Sequence, residues 1–390
     1  MQYRKFGKHD FEVSVLGFGA MRLPTEGKIN YGDRLSEKIN EREAIRLLHH
    51  AIDHGVNYID TAYGYHEGRS EIVVGKALKD GYRDKVKLAT KSPVWLVKKP
   101  EDYDRILDEQ LKKLQTEYLD FYLFHSLSLA SWENTVLKLG LIERAEAAKK
   151  AGKFKYLGFS FHDGYDAFVK IIDGYDKWDF CQIQYNYMDV DHQAGEKGLK
   201  YAASKGLAVV VMEPLLGGRL ANPPKDIKAI LDKSGTGRSP ADWGLQWLWS
   251  QPEVTVVLSG MSNMQQVEEN LKSAGNSKAG LFGHAEMEII DLVRRRYIDR
   301  AAIPCTGCSY CMPCPNNVNI PRNFEIYNDS VIYEDIRGAK VQYNAFMNEA
   351  NRAGACIACR VCEDKCPQGI PISEWMEKVD KTLAGLQETV

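Results

Sequence analysis

Along residues 1–300, short β-branched or aromatic runs alternate with longer stretches whose apolar positions recur at helical spacing. The pattern predicts strands over Val13–Phe18, Tyr58–Asp60, Val86–Thr90, Leu119–Phe124, Tyr156–Ser160, Cys181–Tyr185, Ala208–Met212 and Thr255–Leu258. Between them it predicts helices such as Glu41–His54, Ser70–Lys79, Tyr103–Leu114, Glu133–Ala151, Gly195–Lys205 and Pro240–Ser250. Two more, Met264–Ala274 and Glu286–Arg300, follow the last strand. Eight strand–helix units of this length fit a closed α/β barrel, the (β/α)8 or TIM barrel, better than an open doubly wound sheet. The first strand runs into Gly17-Phe18-Gly19-Ala20-Met21-Arg22, which fails the Gly-x-Gly-x-x-Gly spacing of a Rossmann nucleotide site.

The pattern changes near Ala301. Of nine cysteines, only Cys181 precedes that point; the other eight fall between 305 and 366. The first run is Cys305-x2-Cys308-x2-Cys311-x2-Cys314-Pro315, and the second Cys356-x2-Cys359-x2-Cys362-x3-Cys366-Pro367. The second spacing is that of the bacterial ferredoxins, in which each run gives three thiolates to one [4Fe–4S] cluster and its last to the other. That rule groups Cys305, Cys308, Cys311 and Cys366 around one cluster, and Cys356, Cys359, Cys362 and Cys314 around the second. The first run is shorter by one residue before its last cysteine, so the crossing is less firmly dictated there. Structural zinc is the competing reading, but zinc ribbons separate their C-x2-C knuckles widely, whereas these overlap. Cys181 reads as a buried strand residue. The predicted organisation is a barrel over 1–300 and a small α-rich, bacterial-ferredoxin-like domain with two clusters over 301–390.

Charge adds mainly exclusions. Net charge is −2 and the pI about 6.5, which argues against a nucleic-acid partner. The Arg294-Arg295-Arg296 triplet reads as a solvated helix face. No stretch approaches the ~20 apolar residues of a membrane span, and Met1–Phe6 lacks the apolar core of a signal peptide. A cytoplasmic location is the expectation.

In such a barrel, chemistry gathers where strands end. Asp60 closes the second strand, Lys91 the third and His125 the fourth, with Tyr65 on the loop after Asp60. Each alone has an ordinary reading as a cap, a rim charge or a core residue. Together they suit hydride delivery to a carbonyl, which builds an alkoxide and needs a proton donor in an electropositive pocket. A neighbouring Lys⁺ is expected to bring the tyrosine pKa down from about 10, Asp60 to hold the lysine charged, and His125 to orient the carbonyl oxygen.

Asp60, Tyr65, Lys91 and His125, within DTAYGY, LATK and DFYLFH, resemble the catalytic tetrad of the aldo-keto reductases. The resemblance covers residues 1 to about 300, including RKFGKHDFEVSVLGFGAMRL. With PCTGCSYCMPCP in its tail, the whole chain resembles the ferredoxin-fused branch of that family. The resemblance implies NADH or NADPH across the barrel mouth. Ser160 and Gln182 match the family's carboxamide contacts, but Phe161 stands where Asn is usual and Met212 where an aromatic residue stacks. The pyrophosphate would meet the loop of Pro214, Leu215, Gly217 and Arg219. The adenosine end would lie near Gly260, Met261, Ser262, Gln266, Glu269 and Asn270, with a plain capped helix start as the lesser reading of that segment. The basic residues that grip a 2′-phosphate in the family fall on Gly260 and Gln266, neither of them charged; Arg219 and Arg238 are the candidates to compensate.

Three functions follow. The first is an oxidoreductase acting on a small-molecule carbonyl or alcohol with NAD(P)H, its clusters stabilising the fold or linking the site to an electron carrier. The second is an iron–sulfur reductase driven by a ferredoxin-like donor without a strict nicotinamide requirement. The third is a non-catalytic electron-transfer subunit, against which the intact tetrad argues. His162 is a further candidate to line the pocket. Substrate identity depends on the loops Leu23–Asn40, Ser126–Trp132 and Met188–Gln193.

Overall fold

The computed structural model describes residues 1–26 and 38–385; most of the Leu23–Asn40 loop lies outside them. Two compact units emerge, one of residues 1–26, 38–221 and 238–287, the other of 222–237 and 288–385.

The first unit opens with an antiparallel hairpin, β1 (Tyr3–Lys5) and β2 (Glu12–Ser14). Eight parallel strands then close a barrel in chain order. They are β3 (Leu16–Gly19), β4 (Tyr58–Asp60), β5 (Lys87–Ser92), β6 (Leu119–Leu127), β7 (Phe154–Phe161), β8 (Phe180–Gln184), β9 (Ala208–Met212) and β10 (Val254–Ser259). All eight predicted strands are present. The first predicted run divides into β2 and β3, because Val15 leaves the hairpin before Leu16 joins the barrel. The predicted helix Glu133–Ala151 is broken by Gly140, at φ +63° in the left-handed region that glycine tolerates. The helix Tyr165–Asp173 went unpredicted here, as did Lys225–Asp232 and Ile336–Ala345 in the second unit.

Strand side chains alternate in direction, so every second residue faces the barrel axis. At the N-terminal end of the strands these are apolar: Tyr58, Ala89, Phe121, Phe180, Ala208 and Val256 pack with Phe6 of the hairpin in one buried cluster. The Phe6 and Phe121 rings lie 4.6 Å apart. A methyl at Gly158 would sit 2.6 Å from the Phe180 ring, so this position has room only for hydrogen. Two or four residues further along the same strands, the alternation brings Asp60, Lys91, His125, Ser160 and Gln182 to the other end of the axis.

The second unit has no strands among its described residues. Its core joins Ile303, Val318, Ile320, Phe324, Ile370, Ile372, Met376 and Val379, with most of the clustered cysteines packed against it. Buried Asn323 donates to Asn319 and Asn351 carbonyls, both at 2.8 Å, and accepts from the Ala353 amide at 2.8 Å. Those bonds tie the loop before the second cysteine run to the helix Ile320–Ile332. Among the described residues no helix is long and apolar enough to cross a membrane.

His66 locks the turn after β4 to the chain leaving β3. Its buried Nε2 accepts from the Leu23 amide at 3.2 Å, a bond only the neutral ring can make. Burial, then the Arg69 charge, pulls its pKa down to about 4. Between that value and the unfolded value of about 6.5 the unfolded chain binds the extra proton, so this contribution is intact above 6.5 and lost as pH falls towards 4. The expected loss is on the order of 2–3 kcal/mol. His66→Gln should flatten the dependence of the unfolding temperature between pH 7 and pH 5, measured by circular dichroism against the wild-type chain (pH values set around the ~6.5 reference).

Candidate active site

Lys91 is fully buried at the end of β5, where an ammonium must use all three of its N–H groups. Its Nζ donates to Asp60 Oδ1 at 2.6 Å, to the Thr61 carbonyl at 2.9 Å and to Tyr65 Oη at 3.4 Å. Because the lysine is the donor to Oη, the Tyr65 hydroxyl proton is left to point elsewhere. The strand is pinned from behind: Gln110 Nε2 donates to the Lys91 carbonyl at 3.0 Å and to Glu71 Oε1 at 2.6 Å, while Tyr122 donates to Gln110 Oε1 at 2.8 Å. The Thr61 and Ser70 hydroxyls, 2.8 Å apart, with Ser70 donating to the Ala20 carbonyl at 2.9 Å, fix the start of the loop that carries Tyr65.

The Tyr65 and His125 rings meet edge to face at 6.1 Å. The indole of Trp95, 47% exposed, stands 5.0 Å from the His125 ring. Burial, then the charges of Lys91 and His162, holds His125 well below the usual histidine range, so the ring is neutral at physiological pH. Its Nδ1 finds no hydrogen-bond partner among the described residues.

The ionisable pair balances burial against attraction. Burial alone lowers the Lys91 pKa, but Asp60 and Tyr65 outweigh it and keep the ammonium above its ordinary value. Burial lifts Asp60 despite Lys91. Tyr65 departs from the sequence-based expectation: Lys91 pulls its pKa down as anticipated, yet burial is the larger effect and leaves the phenol above its ordinary value.

Beyond these four residues the predicted contacts divide. Ser160 and Gln182 are adjacent across β7 and β8, and both are buried. Ser160 Oγ accepts from the Ser126 amide at 2.7 Å, and Gln182 Nε2 lies 3.7 Å from Met212 Sδ, while Gln182 Oε1 has no partner among the described residues. Phe161, one position after Ser160, faces away from the axis and packs on Phe168 with ring centroids 4.9 Å apart. The Leu215 side chain faces the helix Pro240–Trp249, where a methyl on Gly244 would meet it at 2.6 Å. In the Gly260–Asn270 segment, Asn263 caps the helix Met264–Gly275 by accepting from the Gln266 amide at 2.9 Å. Gln266 folds back to accept from the Ser262 amide at 2.8 Å, Glu269 accepts from Gln265 at 2.8 Å, and Asn270 is spent on Ser259 at 2.9 Å. Met261 is buried. Arg238 packs over the Trp243 and Phe282 rings at 5.0 and 5.2 Å, beside Glu286 at 3.9 Å.

Three residues at the mouth were not predicted. Trp95 lacked any motif to mark it, although it follows Lys91 by four positions. Arg22 reaches Gly217, whose carbonyl accepts from Nη1 at 3.4 Å, and its stem covers Gly260, where a methyl would come within 3.2 Å. Glu213, directly after β9, lies 3.8 Å from Arg22. A charge directly after a strand end was the available signal for Glu213; Arg22 lies three residues past β3.

In the second unit, the structure gathers the cysteines across the two runs. Cys305, Cys308, Cys311 and Cys366 line one pocket with Phe324, Ile370 and Ile372. Burial, and then the nearby Cys305, Cys308 and Cys366, pushes the Cys311 thiol up. Burial, followed by Glu363, Cys356 and Cys314, pushes Cys362 up to about 11. Cys308 and Cys359 are exposed, and Cys181 is buried in β8 of the other unit. Among the described residues no three His, Cys, Asp or Glu side chains converge as a single-ion site.

Residues 15–279 match the model of the aldo/keto reductase family. This chain belongs to that family. Residues 304–370 match a 4Fe-4S dicluster domain. Similar proteins include the Bacillus subtilis oxidoreductase YqkF, 27% identical over 305 residues that cover 70% of this chain and 91% of its own. The L-galactose dehydrogenase of Arabidopsis thaliana is 28% identical over 291 residues, covering 70% and 87%. Among solved structures, the holo form of aldo-keto reductase AKR11C1 from Bacillus halodurans superposes with TM-score 0.61 at 26% identity, covering 75% of this chain and 96% of its own. The protein is therefore an oxidoreductase with an aldo/keto reductase barrel and a C-terminal iron–sulfur domain.

Within this reductase barrel, the balance at Tyr65 has a direct readout. With carbon-13 at tyrosine Cζ, the Tyr65 resonance, assigned by its loss in Tyr65→Phe, should still report phenol at pH ~10, the ordinary tyrosine midpoint. Lys91→Met removes the main downward pull and should move the midpoint further up; a midpoint below the ordinary value would contradict the burial argument.

Proposed function

We propose that this aldo/keto reductase reduces a small-molecule carbonyl, or oxidises the matching alcohol, at Asp60, Tyr65, Lys91 and His125, with NADH or NADPH as cofactor. The observation that carries the reading is the buried Lys91 ammonium, bonded at once to Asp60 and to the phenol oxygen of Tyr65. In this reading Tyr65 donates its proton to the oxygen that becomes an alkoxide, and Lys91 steadies the phenolate left behind. Asp60 keeps Lys91 charged and aimed. Neutral His125 offers a second hydrogen bond to the carbonyl oxygen, and Trp95 walls the substrate side.

The nicotinamide, when bound, supplies the hydride. A buried Gln182 carboxamide oxygen in want of a donor, beside the Ser160 hydroxyl, suits a nicotinamide carboxamide. Met212, Pro214, Leu215, Gly217 and Arg219 would run beside the cofactor, and the Gly260–Asn270 turn would meet its adenosine end.

The C-terminal thiols fit clusters by their chemistry. Cys305, Cys308, Cys311 and Cys366 would hold one [4Fe–4S] cluster, and Cys356, Cys359, Cys362 and Cys314 the other; thiolates drawn this close together need positive iron between them. The clusters, when bound, supply one-electron redox centres. The proposed division of labour is carbonyl chemistry in 1–300 and iron–sulfur chemistry in 301–390, in a cytoplasmic enzyme whose eight clustered thiols require a reducing compartment.

The outward-facing Phe161 favours a second reading. It withdraws one cofactor contact, so electrons would enter from a ferredoxin-like carrier with the same four residues serving as acid and pocket.

An anaerobic titration of reconstituted protein with NADH and then NADPH tests the pair. Nicotinamide binding with bleaching of the broad cluster absorbance is the expected result. Absence of binding would leave only the carrier-driven reading. For the cysteines, Cys366→Ala should lower iron content to roughly half, with loss of one cluster and retention of the other. Zinc in place of iron on metal analysis would sink the cluster assignment.

A further inference from the structure

Glu213 is a carboxylate that the proposed chemistry does not use, placed where the chemistry would happen. It follows Met212 at the end of β9, and its φ of +53° lies in the left-handed region. That conformation is costly for a residue with a side chain, and more so before a proline such as Pro214. Buried Asn186 holds it there, donating to the Glu213 carbonyl at 3.2 Å while its own oxygen accepts from the Met188 and Asp189 amides at 2.9 and 3.0 Å. The carboxylate lies 3.8 Å from Arg22, and both side chains remain about one-third exposed at the barrel mouth. Arg22 is itself held back by the Gly217 carbonyl and by its stem across Gly260. The carboxylate also acts electrostatically on Tyr65 and on His162.

We infer that Glu213 is a specificity residue that admits neutral carbonyl compounds and rejects anionic ones, with Arg22 limiting the strength of the rejection. The inference rests on the reductase reading above. Glu213 directly follows β9, at the end of the barrel where Tyr65 and His125 lie, and its charge is felt at Tyr65, so a substrate whose carbonyl oxygen meets those two residues would share its field. A second negative charge there meets a carboxylate in a half-buried pocket, and repulsion across several ångströms lowers its binding on the order of tenfold to a hundredfold. A neutral substrate pays nothing of the kind. Arg22, 3.8 Å from the carboxylate and itself held by the Gly217 carbonyl, tempers the field.

The test uses two aldehydes of the same chain length, butanal and succinate semialdehyde, with the full-length reconstituted enzyme under anaerobic conditions. The quantity read is the ratio of kcat/KM for the anionic over the neutral aldehyde, with KM and kcat resolved separately. Glu213→Gln should raise that ratio at least tenfold, through KM for succinate semialdehyde (on the order of the repulsion removed). Arg22→Gln, which bares the carboxylate, should lower it. An unchanged ratio in Glu213→Gln, or shifts of the same sign in both variants, overturns the inference while the reductase reading stands. Failure of the wild-type enzyme to reduce either aldehyde with NADH or NADPH overturns both. If Glu213→Gln does not fold, as judged by cluster absorbance and circular dichroism, the direction of the Arg22→Gln shift decides alone.

Discussion

An ammonium without water around it persists only if each of its N–H groups is answered, and Lys91 is answered three times over from β4 and the loop beyond it. This constraint orders much of the barrel's upper end. Asp60 and Thr61 must end β4 within reach of the Lys91 side chain, and the register pairs Asp60 with Ala89, two residues before Lys91 on β5. Tyr65 must return to the same point from its loop, and the Thr61–Ser70–Ala20 bonds hold that loop's two ends. Gln110 and Glu71 serve the same end from the helical layer by gripping the backbone at Lys91. Removing the lysine would strand a carboxylate in an apolar shell, the costlier half of breaking a buried ion pair.

The alternation that aims Lys91 inward also explains what was legible beforehand. Strands carry their period in local sequence, so their number, order and inward-facing polar ends follow from Tyr58–Asp60, Lys87–Ser92 and Leu119–Leu127 as written. The same rule settles Phe161: one residue past an inward Ser160 it must face the helical layer, where Phe168 receives it. What eluded sequence reasoning depends on distance or on competition. The Arg22–Glu213 pair joins the first barrel strand's end to the seventh's, and no local pattern links them. The direction of the Tyr65 shift turned on burial outweighing a cation that the motif itself supplied. The helix Tyr165–Asp173, which buries Ala167, Phe168, Ile171 and Ile172, was not among the predicted helices.

The second unit obeys a different economy. Its core is small, built from a few residues on either side of each cysteine run, and the cysteines themselves pack against it. Burial first, and then neighbouring groups that include other cysteines, push the Cys311 and Cys362 thiols up, so their thiolate forms are unfavourable neighbours until a cation separates them. Cluster binding would therefore convert a source of repulsion into the central contact of the unit and couple metal loading to folding. Hydrogen bonds from Asn323 and Asn328 keep the connecting loops in place around that centre.

The two chemistries differ in how many electrons move at once. Carbonyl reduction takes two electrons and two protons, delivered as a hydride and a proton, whereas an iron–sulfur cluster passes one electron at a time. A chain with two cluster motifs has, in the proposed assignment, capacity for the full pair, which a single cluster would lack. On that arithmetic a second cluster would, if the proposed assignment holds, have a redox use that stapling a small domain does not require. In the proposed reading the barrel would meet the same demand from the proton side: a phenol kept protonated by burial, next to a cation that favours its anion, would release one proton as charge builds on the substrate oxygen. The phenol's raised pKa is compatible with the proposed acid role, because the proton would have to stay on Tyr65 until an alkoxide, a far stronger base, formed beside it.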